Sequence, residues 1–123
     1  MAQERSVLCA LVIEDVEDDV LLLKHELKRG GYDVTFTRVD TPETLHEAMR
    51  RNNWDIIFCD YSMPKMNGRQ ALNIVREIDQ DIPFIFVSGS IGEDIAVEAM
   101  RTGAQDYIMK DNLKRLAQAV RRE

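Results

Sequence analysis

The sequence predicts an α/β fold in which helices cover both faces of a parallel sheet. Short apolar runs that end in turn residues alternate five times with stretches whose apolar residues recur at helical spacing. Such alternation is typical of a parallel sheet with right-handed crossovers. The chain has 123 residues, of which 45% are hydrophobic, and this is enough for one core but not for two. We therefore expect a single domain.

Five apolar runs are predicted to be the strands of this sheet. The first and third are continuous and apolar, so we expect them to be buried on both faces. The second alternates apolar and polar residues, which favours a less buried position at an edge. The runs cover residues 7–13, 33–39, 55–60, 84–87 and 104–109.

Capping residues predict where the helices begin and end. Thr41 followed by Pro42 is a strong start, because threonine caps a helix and proline suits its first position. The other predicted boundaries are a cap at Asp18 or Asp19, an end at Gly30-Gly31, an end at Gly103 and a cap at Asp111 or Asn112. Helical spacing turns the following residues toward the core: Val20, Leu23, Leu27, Leu45, Ala48, Met49, Ala71, Leu72, Val75, Ile78, Leu113, Leu116, Ala117 and Val120.

The composition narrows the classes of function. A formal net charge of −6 argues against direct binding of nucleic acid, which needs a basic surface. No apolar run approaches the ~20 residues of a membrane span, and the polar N-terminus does not resemble a signal peptide. We therefore expect a cytoplasmic protein. Cys9 and Cys59 both lie in apolar runs and are expected to be buried free thiols.

Polar side chains follow four of the predicted strands. Glu14 and Asp15 follow the first, Asp60 the third, Ser88 the fourth and Lys110 the fifth. Because the carboxyl ends of parallel strands share one edge, where such sheets bind their ligands, these groups should meet there. Closely packed acids repel one another, and a hard divalent cation relieves the repulsion. Mg²⁺ suits the set best, since it accepts carboxylates, waters and a phosphoryl oxygen.

With a cation present, Asp60 could attack phosphorus, because carboxylates are established nucleophiles that form aspartyl phosphates. The transferring phosphoryl group needs its equatorial oxygens stabilised. Mg²⁺ could take one oxygen, the ammonium of Lys110 a second and the hydroxyl of Ser88 a third. The combination of these residue types at matching strand ends is far more specific than any one of them.

The chain resembles the receiver domains of bacterial two-component response regulators along essentially all its length. The motifs that carry the resemblance are Glu14-Asp15, residues 60–68 (Asp-Tyr-Ser-Met-Pro-Lys-Met-Asn-Gly), Val87-Ser88-Gly89 and Tyr107-Ile-Met-Lys110. The resemblance implies a flavodoxin-like, doubly wound sheet with strand order 2-1-3-4-5. It also implies that residues 1–123 form one receiver domain, with no output domain in this chain.

By the same resemblance, Asp60 is the phosphoacceptor and receives its phosphoryl group from the phosphohistidine of a histidine kinase or phosphotransfer protein. Asp15, Asp60 and the backbone carbonyl of Ser62 would bind Mg²⁺, and Glu14 would act through water. Ser88 and Tyr107 would be the switch residues that change the surface of the fourth helix, fifth strand and fifth helix. The implied protein is a signalling switch, not a conventional enzyme, and it acts alone through protein contacts or within a larger sensor or regulator.

Two positions depart from the family pattern. Family members most often have proline after the lysine, commonly with a cis peptide bond, whereas this chain has Asp111. A cis bond before a non-proline residue costs ~3 kcal/mol, so we expect a trans or locally reshaped loop between Lys110 and Asp111. The acidic pair is Glu-Asp where Asp-Asp is commoner, and the longer Glu14 should still reach a metal-bound water.

Two other functions share part of this pattern. A flavodoxin-like cofactor binder needs a phosphate-binding loop after the first strand, but residues 14–19 are mostly acidic and would repel an anion. Flavin absorbance would support that alternative. A magnesium-dependent aspartyl-phosphate phosphatase carries its nucleophile after the first strand, whereas Asp60 follows the third. Multiple turnovers on a phosphomonoester would support the phosphatase.

Overall fold

A computed structural model describes residues 6–51, 53–89 and 93–122, which fold around one parallel sheet. Its strand order is β2-β1-β3-β4-β5, and every pairing is parallel. The α/β fold, the doubly wound sheet and its 2-1-3-4-5 order are therefore confirmed. The strands are β1 (Ser6–Ile13), β2 (Tyr32–Val39), β3 (Ile56–Cys59), β4 (Phe84–Ser88) and β5 (Asp106–Met109).

The helices alternate with the strands as predicted. They are α1 (Glu17–Arg29), α2 (Pro42–Arg51), α3 (Gly68–Ile78), α4 (Glu93–Arg101) and α5 (Leu116–Arg121), with a 3₁₀ segment at Lys110–Arg115. The predicted start of α2 is confirmed, because the Thr41 hydroxyl accepts the backbone N–H of Thr44. Helix α3 begins with a capping box between Asn67 and Gln70. Within the described ranges, each helix is shorter or more polar than a membrane crossing requires.

The core consists of one apolar layer on each face of the sheet. Alternate residues of the central strands point to opposite faces, so every residue of β3 and β4 is buried. One layer packs against α2, α3 and α4, and the other against α1 and α5. The edge strand β2 alternates exposed and partly buried residues over its first half and is buried only at Val39, so it is less buried than the central strands, as expected. Cys59 is a buried free thiol and Cys9 is a partly buried one.

Several local predictions are wrong. The N-cap position of α1 is Val16, which makes no side-chain cap, and Asp18 and Asp19 lie inside the first turn. The last α-helix begins at Leu116, not after Asp111 or Asn112, because the preceding residues form the 3₁₀ segment. Ile78, which was expected to face the core, is the last residue of α3 and is 49% exposed. Ala117 is only partly buried, and Leu113 packs at the edge of its layer.

Candidate functional site

The carboxyl ends of β1, β3, β4 and β5 bring the predicted site residues together. The pairing of Ile13 with Cys59 sets the ends of β1 and β3 side by side, and the Asp60 N–H donates to the Ile13 carbonyl at 2.9 Å. The pairing of Ser88 with Met109 places Lys110 just beyond the end of β4. The register of the buried strands therefore fixes which polar residues meet at this edge.

Asp60 and Ser88 form the buried centre of the site. Asp60 is 9% exposed and Ser88 is 2% exposed. The Ser88 hydroxyl donates a hydrogen bond to Oδ1 of Asp60 at 3.0 Å. The other carboxylate oxygen, Oδ2, lies 3.5 Å from Nζ of Lys110. Each oxygen of Asp60 thus faces a donor of the type that a transferring phosphoryl group needs.

Glu14, Asp15 and Asp60 form an acidic cluster in which one carboxylate oxygen from each residue lies within 4.8 Å of the others. Glu14 is 2% exposed. Burial, together with the neighbouring carboxylate of Asp60, raises the pKa of Glu14 to about 9. Its Oε2 atom is buried and makes no hydrogen bond, which is rare for a polar atom in a protein interior. An orphaned oxygen among crowded carboxylates fits a hard divalent cation such as Mg²⁺.

Lys110 lies between the acidic cluster and helix α1. Its Nζ atom is 2.7 Å from Oε1 of Glu14 and 2.5 Å from Oδ2 of Asp19. Burial acts to lower the pKa of Lys110, but the hydrogen bonds to Asp19 and Glu14 outweigh it and raise the pKa. In return, Lys110 lowers the pKa of Asp19. The ammonium is therefore charged and tightly held.

Asp19 is a site residue that the sequence analysis missed. It was expected to be one of two possible helix caps, but its carboxylate turns toward Lys110 instead. Glu17, Asp18 and Asp19 all suit the first turn of a helix, where negative charge is favourable. Nothing in their spacing distinguishes the one that faces the sheet edge.

The remaining predicted residues lie beside this centre. Tyr107 is half-buried against the layer that includes α2 and α3, and its hydroxyl donates to Sδ of Met109 at 3.2 Å. Ser62 is exposed, two residues beyond Asp60. The peptide bonds of the described residues are all trans, so the expected trans bond between Lys110 and Asp111 is confirmed. The chain then turns directly into the 3₁₀ segment.

The fold and the site define a class of protein: a doubly wound α/β domain with a serine-bound aspartate, an acidic cluster and a lysine at the carboxyl edge of its sheet. The sequence model of one protein family, the response regulator receiver domain, matches residues 10–121 of this chain. The chain belongs to this family, and the resemblance seen in the sequence is confirmed.

Curated relatives agree with this assignment. The chain is 36% identical over 98 residues to response regulator protein FleR of Pseudomonas aeruginosa, covering 77% of this chain and 20% of that protein. It is 33% identical over 100 residues to transcriptional regulatory protein PrrA of Mycobacterium tuberculosis, covering 81% and 42% respectively. The chain therefore spans less than half the length of these relatives.

Solved structures show the same fold. The signal receiver domain of a LuxO repressor protein from Vibrio parahaemolyticus superposes with a TM-score of 0.75 at 25% identity, covering 94% of this chain and 91% of that one. A response regulator receiver domain from Clostridium thermocellum gives a TM-score of 0.76 at 26% identity, covering 94% and 92%.

Proposed function

We propose that this chain is a phosphorelay switch in which Asp60 accepts a phosphoryl group from the phosphohistidine of a histidine kinase or phosphotransfer protein. The observation that carries the proposal is the buried carboxylate of Asp60, bonded by Ser88 on one oxygen and approached by Lys110 on the other. A carboxylate oxygen would form the new bond to phosphorus while the phosphorus–nitrogen bond breaks. The electron pair of that bond would return to the imidazole ring.

Each residue of the site has a distinct task in this reaction. The Ser88 hydroxyl and the Lys110 ammonium would donate to phosphoryl oxygens as charge shifts onto them. Asp15, Asp60 and the Ser62 carbonyl would hold Mg²⁺, and Glu14 would act through water. Bound Mg²⁺ would supply the positive charge that lets a phosphoryl anion approach these acids. The acidic cluster and the orphaned oxygen of Glu14 support this assignment.

The phosphorylated domain would signal through the surface formed by α4, β5 and α5. Ser88 pairs in the sheet with Met109, whose sulfur accepts the hydroxyl of Tyr107. A shift of Ser88 toward a phosphoryl group would therefore displace Met109, and the displacement of Met109 would alter its hydrogen bond with Tyr107. We propose that the domain changes only its own phosphorylation state, in the cytoplasm, and acts through protein contacts, either alone or within a larger regulator.

Phosphorylation by a small donor tests this function directly. We expect the parent chain to gain the mass of one phosphoryl group when it is incubated with acetyl phosphate and Mg²⁺, and to gain none when Mg²⁺ is chelated. Asp60→Asn should stay unmodified. Asp81→Asn is the matched control, because Asp81 is an exposed residue of the loop before β4, and it should react like the parent chain. Equal modification of Asp60→Asn would show that Asp60 is not the acceptor.

A further inference from the structure

Three carboxylates surround the ammonium of Lys110 in the resting structure. Its three N–H groups face Glu14 at 2.7 Å, Asp19 at 2.5 Å and Asp60 at 3.5 Å. The two short contacts lie on the α1 side, and the long one is to the proposed acceptor. A charge-assisted hydrogen bond is normally 2.7–2.9 Å long, so the contact with Asp60 is the weakest of the three, and the two strong contacts hold Lys110 to other carboxylates.

The two short contacts differ in how they respond to a bound cation. Glu14 belongs to the acidic cluster that fits Mg²⁺, so a bound cation would weaken the contact between Glu14 and Lys110. Asp19 comes from the first turn of α1, outside the three residues of the cluster. The contact between Asp19 and Lys110 would therefore remain when a cation fills the cluster.

We propose that Asp19 is a positioning residue that restrains Lys110 in the resting state and so slows phosphorylation of Asp60. This inference rests on the proposed function of Asp60. Only contacts that are stronger in the transition state than in the resting state speed a reaction. The contact between Asp19 and Lys110 is already at full strength before the donor arrives. On this proposal, Lys110 would have to lengthen that contact in order to move closer to the phosphoryl group.

Removing the charge of Asp19 should therefore speed phosphorylation. In Asp19→Asn we expect the rate with acetyl phosphate and Mg²⁺ to rise about threefold to fivefold, the size expected for a partly exposed ion pair. The matched control is Asp18→Asn, which removes the same charge from the same helical turn at an exposed residue. It should change the rate by much less. This control separates the restraint from a general attraction between the protein and an anionic donor.

A second pair of variants tests whether Asp19 acts through Lys110. In a Lys110→Met background, adding Asp19→Asn should leave the remaining slow rate unchanged, because there is no ammonium to release. If Asp19→Asn acted instead by a general electrostatic effect on the anionic donor, it would still raise the rate in the Lys110→Met background. An unchanged or slower rate in Asp19→Asn alone would overturn the proposal. An equal rise in Asp18→Asn, or a rise that persists in Lys110→Met, would also overturn it.

A measurement without any phosphoryl donor keeps the two proposals apart. In protein with ¹⁵N-labelled lysine, the ammonium resonance of Lys110 can be identified by its loss in Lys110→Met. We expect this resonance to shift or broaden in Asp19→Asn and to be unaltered in Asp18→Asn. An unaltered resonance in Asp19→Asn would show that the contact is not made in solution. If the parent chain is never phosphorylated, the proposed function fails, and this spectrum still reports whether Asp19 holds Lys110.

Discussion

Replacing Ser88 by alanine removes one hydroxyl from the centre of the site and nothing else. That hydroxyl is 3.0 Å from Oδ1 of Asp60, and both residues are buried. A hydrogen bond to a charged group contributes about 1.5–3 kcal/mol to stability. Asp60 keeps a little exposure, so water can partly replace the hydroxyl, and we expect a loss of about 1.5–2 kcal/mol. For a domain of this size, that lowers Tm by roughly 6–8 °C.

The effect of Ser88→Ala on the phosphorylation rate should be smaller than the effect on stability implies. The hydroxyl already binds Asp60 in the resting state, so only the additional strength of its contact with the transition state contributes to the rate. We expect the rate with acetyl phosphate to fall by about tenfold or less.

Urea unfolding and the rate of phosphoryl incorporation measure the two effects of Ser88→Ala separately. Thr35→Val is a matched control, because it removes an exposed hydroxyl from a strand while keeping a branched side chain. Its stability should change by less than about 0.5 kcal/mol. A Ser88→Ala protein as stable as the parent chain would refute the argument, since the buried hydrogen bond would then contribute nothing in solution.

Two further substitutions test how the fold supports the site. Arg76 donates to four different acceptors in the loops around the end of α3 and before β5. Arg76→Lys should lower the free energy of unfolding by about 2–3 kcal/mol, because one ammonium cannot replace the guanidinium fork. The exposed Arg69→Lys should change it little, and equal losses in both would contradict this reasoning. Gly68→Ala should destabilise by about 1–3 kcal/mol, since a Cβ atom there would lie 2.6 Å from the ring of Phe86 and 2.9 Å from Cα of Tyr61; a melting temperature equal to the parent's would show that the helix start can move.

The fold and most of the site could be predicted because they follow from strong local patterns. Continuous apolar runs such as residues 55–60 can be satisfied only by burial on both faces of a sheet. The residue that ends such a run must then lie at the sheet edge, which is how Asp60, Ser88 and Lys110 could be assigned together. Those assignments required only that all strands run in the same direction, because the carboxyl ends of parallel strands share one edge of the sheet.

The prediction of the α1 cap failed because it depended on a choice between residues of nearly equal propensity. Asp18 and Asp19 are both good N-cap residues, but the chain places Val16 at the cap position and turns Asp19 toward Lys110. The attraction between these two charges comes from residues 91 positions apart in the sequence. Spacing along α1 carries no information about a contact with the far end of the chain, so only the assembled sheet could reveal it.

The geometry of the site is a consequence of how the core locks the strands. Ser88 and Asp60 are 28 residues apart in sequence, and Lys110 and Asp60 are 50 apart. A slip of one residue between neighbouring strands would turn each buried side chain to the opposite face. The apolar layers on the two faces contain different side chains, so such a slip would disrupt both. The same packing that stabilises the domain therefore fixes which residues meet at its edge, and it places Lys110 just beyond the last residue of β5.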